Sequence, residues 1–247
     1  MATVASQVIL HPVVSQGLKV LSTTVGRDKV YRAVQNFARL YAWLLLSSNN
    51  KGDATKWNGL KSHLALGRKL LRLAKPIEHL QVALRATQTT GPLGEQLTTV
   101  ARQLAYFLYL TYDAIVWANA IKFINLSSEK AQRVNRTANR FWLSGITLNI
   151  INAALKAQRV TAEISQLQRA AIDEKVSSAV DREVKLRGLE ATQAATKQQF
   201  IIDVLDFWLP ATAIGLVNLN DGIVGMFGFI TSVLSLQAQW FALSGKK

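Results

Sequence analysis

Gly222 to Gly245, GIVGMFGFITSVLSLQAQWFALSG, is a run of 24 residues without a charge, set between Asp221 and the terminal pair Lys246 and Lys247. A helix needs about 20 apolar residues to cross a hydrocarbon core of roughly 30 Å, so the run predicts a spanning helix over about 222–244. Gly222, Gly225 and Gly228 recur at every third position. Such spacing opens a flat strip on which helices approach closely in lipid, which assigns these glycines to helix packing and oligomerisation. The 13 residues from Phe207 to Leu219, with Pro210 among them, are apolar but too short to span and read as a re-entrant or interfacial arm. Asn218-Leu219-Asn220-Asp221 reads as a turn.

Upstream, Gln103 to Ile121 has 19 residues and the single charge Asp113. It is long enough for a second span, but a carboxylate at its centre would cost on the order of 3 kcal/mol in lipid, so Asp113 needs a buried partner or a place inside a bundle. Arg140 to Lys156 encloses a shorter apolar piece, read as buried or half-embedded. Ala157 to Lys197 is polar and mixed in charge, a solvated helix or a linker, and its apolar spacing drifts too soon for a sustained coiled coil. With 4 prolines, 14 glycines and no hairpin signals, the chain reads as all-α.

The charge lies toward the N-terminus. Of a net +14, the span Arg27 to Arg85 carries 12 basic and 3 acidic residues, a net +9. Placed on a helix at about 100° per residue, Leu60 to Leu84 gathers Lys61, Arg68, Lys69, Arg72 and Lys75 within an arc of roughly 120°. Leu60, Leu64, Leu70, Leu71, Ile77 and Leu84 lie on the other side. An ordinary core helix with a basic wet face shows the same pattern. A chain with 49% hydrophobic residues and mean hydropathy +0.15 favours instead an anionic membrane, the cations holding headgroups and the leucines entering the acyl boundary. Arg27 to Leu46 is a second basic amphipathic helix, with Arg27, Lys29, Arg32 and Arg39 as its cations, and Ser47 to Thr55 folds the two into a hairpin. Trp43 falls on the polar side of its wheel, at headgroup depth or capping the packing. Nucleic acid is disfavoured as a partner, because the basic residues alternate with leucine rather than with stacking aromatics.

Several of these residues resemble a known family. Gly26-Arg27-Asp28-Lys29-Val30-Tyr31-Arg32, Phe37-Ala38-Arg39, and Leu64-Ala65-Leu66-Gly67-Arg68-Lys69-Leu70-Leu71-Arg72-Leu73-Ala74-Lys75-Pro76 are similar to the peroxin eleven family in its fungal form. Tyr112-Asp113 with Trp117 and the Gly222-x-x-Gly225-x-x-Gly228 run add to the likeness. The resemblance implies a peroxisomal membrane protein that elongates the organelle before division through a cationic amphipathic helix at Leu60 to Leu84. It also implies self-association and links with a fission adaptor and a dynamin-like GTPase. A pore-like role in metabolite passage is attributed to the same family.

The chain has no cysteine, which excludes disulfides and thiolate metal sites, and its first residues do not form a signal peptide. There is no P-loop, dinucleotide fingerprint or His-Glu-x-x-His, and His11, His63 and His79 stand apart. No catalytic residue, metal ligand or cofactor is assigned, and the chain is not expected to be an enzyme. Asp203 and Asp206, one turn apart, are commoner as helix-end charges than as an acid/base pair. The expected organisation is an N-terminal segment (1–26), a basic amphipathic hairpin (27–88), and an apolar region (89–156) with a candidate span at 103–121. A polar helix or linker (157–200) and a C-terminal membrane region (201–247) follow, and cations at both ends place both termini on the cytosolic side. The expected activity is a wedge in one leaflet of an anionic membrane, with a pore for solutes as the alternative.

Overall fold

Short polar side chains start the principal helices. The Thr23 hydroxyl accepts from the Gly26 amide at 2.9 Å, while Asn50 and Asn220 accept from the amides of Asp53 at 3.2 Å and Ile223 at 2.9 Å. Each bond fills a donor that a helix start leaves free. The computed structural model describes residues 2–170 and 176–244, and all regular elements among them are helices. In order they are α1 (Ala2–Ile9), α2 (Pro12–Ser22), α3 (Thr24–Ser47), α4 (Lys51–Leu70), α5 (Lys75–Gln88), α6 (Leu93–Ala120), α7 (Ser128–Ala170), α8 (Val176–Ala213) and α9 (Asp221–Leu243). At the exposed end of the α3–α4 hairpin, hydrogen bonds from Lys56 and Asn50 hold the Asp53 carboxyl below the usual carboxylate range.

Successive helices fold back on one another: α3 on α4, α5 on α6, α6 on α7, α7 on α8, and α8 on α9. The last helix, α9, lies along α3, and α4 touches α6, so the bundle closes round a central space. An Arg159–Glu95 pair at 2.6 Å ties α7 to α6, and the Gln16 amide, donating to the Trp240 carbonyl at 3.2 Å, seats α2 on α9.

The distribution of polarity is the reverse of that in a water-soluble domain. Arg32, Asn36, Gln103, Asp113, Asn149, Asp203, Asp206, Thr231 and Ser232 are buried, and many of the buried apolar residues are alanines. Large apolar side chains lie outside: Val34, Phe37, Tyr41 and Leu44 on α3, Ile77 and Leu84 on α5, Leu93, Leu97 and Leu104 on α6, and Met226, Ile230, Val233 and Phe241 on α9. In water such an exterior is a liability; against acyl chains it is the low-energy arrangement, because ionisable groups in a membrane face the bundle interior. Among the described residues one helix, Asp221–Leu243, is long and apolar enough to cross a membrane. The candidate span at 103–121 does not meet that measure; it forms most of α6, with Gln103 and Asp113 buried against neighbouring helices.

Two local expectations change, and two become specific. Leu60 to Leu84 is not one helix: α4 ends at Leu70 and α5 begins at Lys75, because Pro76 has no amide to bond back into α4 and suits the first turn of a new helix. Arg140 to Lys156 is the middle of the 43-residue α7, which runs on through the start of the polar region, about 65 Å at 1.5 Å per residue. Phe207 to Ala213, read as part of an interfacial arm, is the end of α8, with Pro210 buried inside the helix. Trp43, placed at headgroup depth or in the packing, lies over Gly222. Residues 171–175 of the polar region, Gly245 at the end of the charge-free run, and Lys246 and Lys247 lie outside the described residues.

Candidate functional site

One face of α3 supplies Asp28, Lys29, Arg32, Gln35, Asn36 and Arg39, whose spacings of one, three and four residues keep them on a single side of the helix. In the bundle that side faces the centre. Arg68 and Lys69 from α4, Arg72 from the turn after it, Tyr109 and Asp113 from α6, and Asp203 and Asp206 from α8 face the same space, a cavity of about 530 Å³.

The cations there meet carboxylates from other helices. Arg32 Nη2 pairs with Asp206 Oδ1 at 2.5 Å, and the Thr231 hydroxyl of α9 donates to the same oxygen at 2.6 Å. Arg68 Nε donates to Asp28 Oδ1 at 3.0 Å and its Nη1 to Gln35 Oε1 at 2.8 Å, which fastens α4 to α3. Asp113 receives Lys69 on one oxygen and Arg72 Nη2 on the other at 3.0 Å, while Arg72 Nη1 donates to the Tyr109 hydroxyl at 3.1 Å. Asp203 accepts from the amides of Asn149 and Gln199, and Arg102 donates to Asn149. Arg102 Nε is buried with no partner among the described residues. Away from this cluster, Arg39 and Lys61 share Asp221 at 2.6 and 3.5 Å.

The sequence-predicted residues therefore divide. Lys29, Arg32, Arg39, Arg68, Lys69, Arg72 and Lys75 all line the cavity, which corrects their placement on an outer, lipid-facing surface. The cause is the set of acidic partners: the segment from Lys61 to Pro76 holds none, but α3, α6, α8 and α9 supply Asp28, Asp113, Asp206 and Asp221. Arg27 stands outside the group, exposed, its Nε donating to the Leu21 carbonyl at 2.7 Å. Of the apolar set, Leu60, Leu70, Ile77 and Leu84 are exposed, Leu64 is half-buried, and Leu71 turns to the cavity. The glycine strip meets α3 of the same chain. A Cβ on Gly222 would strike Trp43, one on Gly225 would come within 2.7 Å of the Leu40 backbone nitrogen, and one on Gly228 would strike the Asn36 side chain. In this structure the strip packs on α3 of the same chain. Among the described residues no group of three His, Asp or Glu stands ready to hold a metal ion.

A family model, Peroxisomal biogenesis factor 11 (PEX11), matches residues 14–240. The chain belongs to this family. Peroxisomal membrane protein PMP30A of Candida boidinii is 25% identical, over 97% of this chain and 98% of its own length. Peroxisomal membrane protein PMP27 of Saccharomyces cerevisiae is 23% identical over 97% and 99%, and peroxisomal membrane protein 11A of Rattus norvegicus 25% over 89% and 93%. No solved structure matches the chain significantly.

Sequence reasoning did not single out Asp28, Asn149 or Tyr109, and left Asp203 and Asp206 as helix-end charges. Arg32 and Asp206 are 174 positions apart, and no local spacing connects them. One signal was available: a carboxylate inside a 19-residue apolar run, Asp113, requires a cation, and the two basic amphipathic helices were the nearest source of one.

Proposed function

We propose that the chain works in the peroxisomal membrane, where the outer apolar face of α3 to α5 enters one leaflet, spreads its lipids and elongates the membrane before the organelle divides. The observation that carries this is the exposure of Ile77 and Leu84, 64% and 65%, together with Leu60 and Leu70, while Arg32, Arg68, Lys69 and Arg72 of the same segment turn inward. Apolar helix faces sink roughly 5–10 Å into the headgroup and acyl boundary, and added area in one leaflet favours curvature. The family and the names of its relatives support the location. The chain is held there by α9.

Attraction to anionic lipid is then the work of other residues than Arg68, Lys69 and Arg72. Lys122, Lys130, Arg133, Arg136 and Arg140 are exposed at the α6–α7 end, with Ile121 and Phe123 exposed beside them. This is the cationic and apolar mixture that an anionic surface attracts. Copies of the chain associate through outer faces, and both termini lie on the cytosolic side, where the fission adaptor and the dynamin-like GTPase act. The resemblance to the family supports these partners.

The test uses purified full-length protein on giant vesicles containing anionic phospholipid. Wild type draws tubules; Ile77→Glu with Leu84→Glu, two exposed positions whose change leaves the interior intact, binds without drawing them. Equal tubulation by the variant rules out the outer face of α5 as the wedge. A second reading, passage of solutes, rests on the charged cavity of about 530 Å³ inside the bundle. Conductance across planar bilayers containing the protein favours it, and electrically silent bilayers remove it.

A further inference from the structure

We infer that the central cavity is a binding site for a small oxyanion of the phosphate type. The cavity is lined by seven Lys and Arg side chains and by four carboxylates, Asp28, Asp113, Asp203 and Asp206, an excess of three positive charges. Local pairing reduces it without removing it. Asp113 is divided between Lys69 and Arg72, and Asp203 is bonded to two amides rather than to a cation. Arg39 and Lys75 have partners outside the lining, Asp221 and Glu78, and counting these leaves one positive charge.

Lys29 is the residue left over. It makes no ion pair or hydrogen bond among the described residues, and the carboxylates whose charge it feels, Asp28 and Asp206, are each held by an arginine. Arg32 and Arg68, on two sides of the same space, repel it. Uncompensated cations within a protein interior are costly, and the cost is met by a counter-charge. Arginine forks beside a lysine point charge match the tetrahedral oxygens of a phosphoryl group. A volume of about 530 Å³ is that of a small-molecule site, too large for one monovalent ion. An oxyanion offsets the charge of Lys29, and its oxygens can accept from the guanidinium groups of Arg32 and Arg68 beside it; a cation would add to that charge. The site needs neither elongation of the membrane nor passage of solutes through it.

Phosphate oxygens reach such a cavity either from a soluble anion or from a lipid headgroup. The full chain is assembled in nanodiscs of phosphatidylcholine alone and titrated with inorganic pyrophosphate at constant ionic strength, with thermal unfolding as the readout. A parallel set contains phosphatidic acid and no pyrophosphate. Pyrophosphate should raise Tm saturably where chloride does not, Lys29→Gln should weaken its binding at least tenfold, and Lys29→Arg should retain it. The exposed Lys56→Gln should match wild type. Stabilisation by phosphatidic acid alone, lost in Lys29→Gln, supports the site with a lipid phosphate as occupant. Absence of stabilisation by either anion in the wild-type chain, or equal stabilisation of Lys29→Gln, overturns the inference. If Lys29→Gln does not fold, the wild-type titration and Lys29→Arg decide it.

Discussion

Asp113 holds two cations, and its own burial makes that possible. At 5% exposure it has little access to water, and Lys69 and Arg72 approach its two oxygens from α4 and the turn beyond. Asp113→Ala therefore does more than delete two contacts, because both cations stay inside without a counter-charge. Breaking a buried pair in this way costs on the order of 3–5 kcal/mol. The thermal unfolding midpoint of the purified protein should fall sharply, and adding Lys69→Met to Asp113→Ala should restore part of the loss. A midpoint for Asp113→Ala within a degree of wild type would mean that water reaches this pair freely. By contrast, Lys56→Ala removes an exposed contact to Asp53 and should leave the midpoint in place, since exposed pairs contribute little. The need for a partner was legible in the sequence; its identity was not. An amphipathic pattern tells which residues share a face, and only the packed bundle tells which way that face turns. For Arg68, Lys69 and Arg72 it turns inward, because the only acids able to neutralise them come from helices distant in sequence.

At the scale of the helices, the charge-free run was read in the right place, and its glycines, expected at a contact between copies, lie against α3 of the same chain. α9 occupies Asp221–Leu243, capped by Asn220, and its glycines admit α3 to within contact of the backbone. The three-residue spacing says that something comes close; nothing in it says whether that helix belongs to the same chain. Gly225→Leu with Gly228→Leu keeps α9 apolar and long enough to insert, yet places side chains where Leu40 and Asn36 already lie. The double variant should still enter membranes while its unfolding midpoint drops, by an amount typical of overpacking, about 1–3 kcal/mol at each site. Unchanged stability with fewer cross-linked oligomers would return the strip to a contact between copies. Element boundaries were less legible where proline was involved. Pro76 divides the stretch from Leu60 to Leu84, whereas Pro210 lies within α8, since a helix tolerates proline when its surroundings hold the chain in place.

Across the whole molecule the composition, apolar yet strongly basic, has one arrangement that satisfies both halves: charges paired inside and large apolar groups outside. All-α architecture and membrane association followed from the lack of strand signals and the length of the last apolar run. The closure of α9 onto α3 did not, because it joins segments nearly two hundred residues apart. The inverted arrangement makes a prediction that the absence of cysteine renders direct, since any cysteine introduced is the only one. In protein reconstituted into vesicles, cysteine in place of Ile77 or Met226 should resist a membrane-impermeant maleimide and react once detergent dissolves the bilayer. Cysteine in place of Lys56, on the exposed start of α4, should react in either setting when the reagent has access to that side. Both outer positions are exposed in the bundle, Ile77 by 64% and Met226 by 41%, so protein packing alone cannot shield them. Lipid can. If both label as fast in intact vesicles as in detergent, the apolar exterior does not face acyl chains and lies open to water.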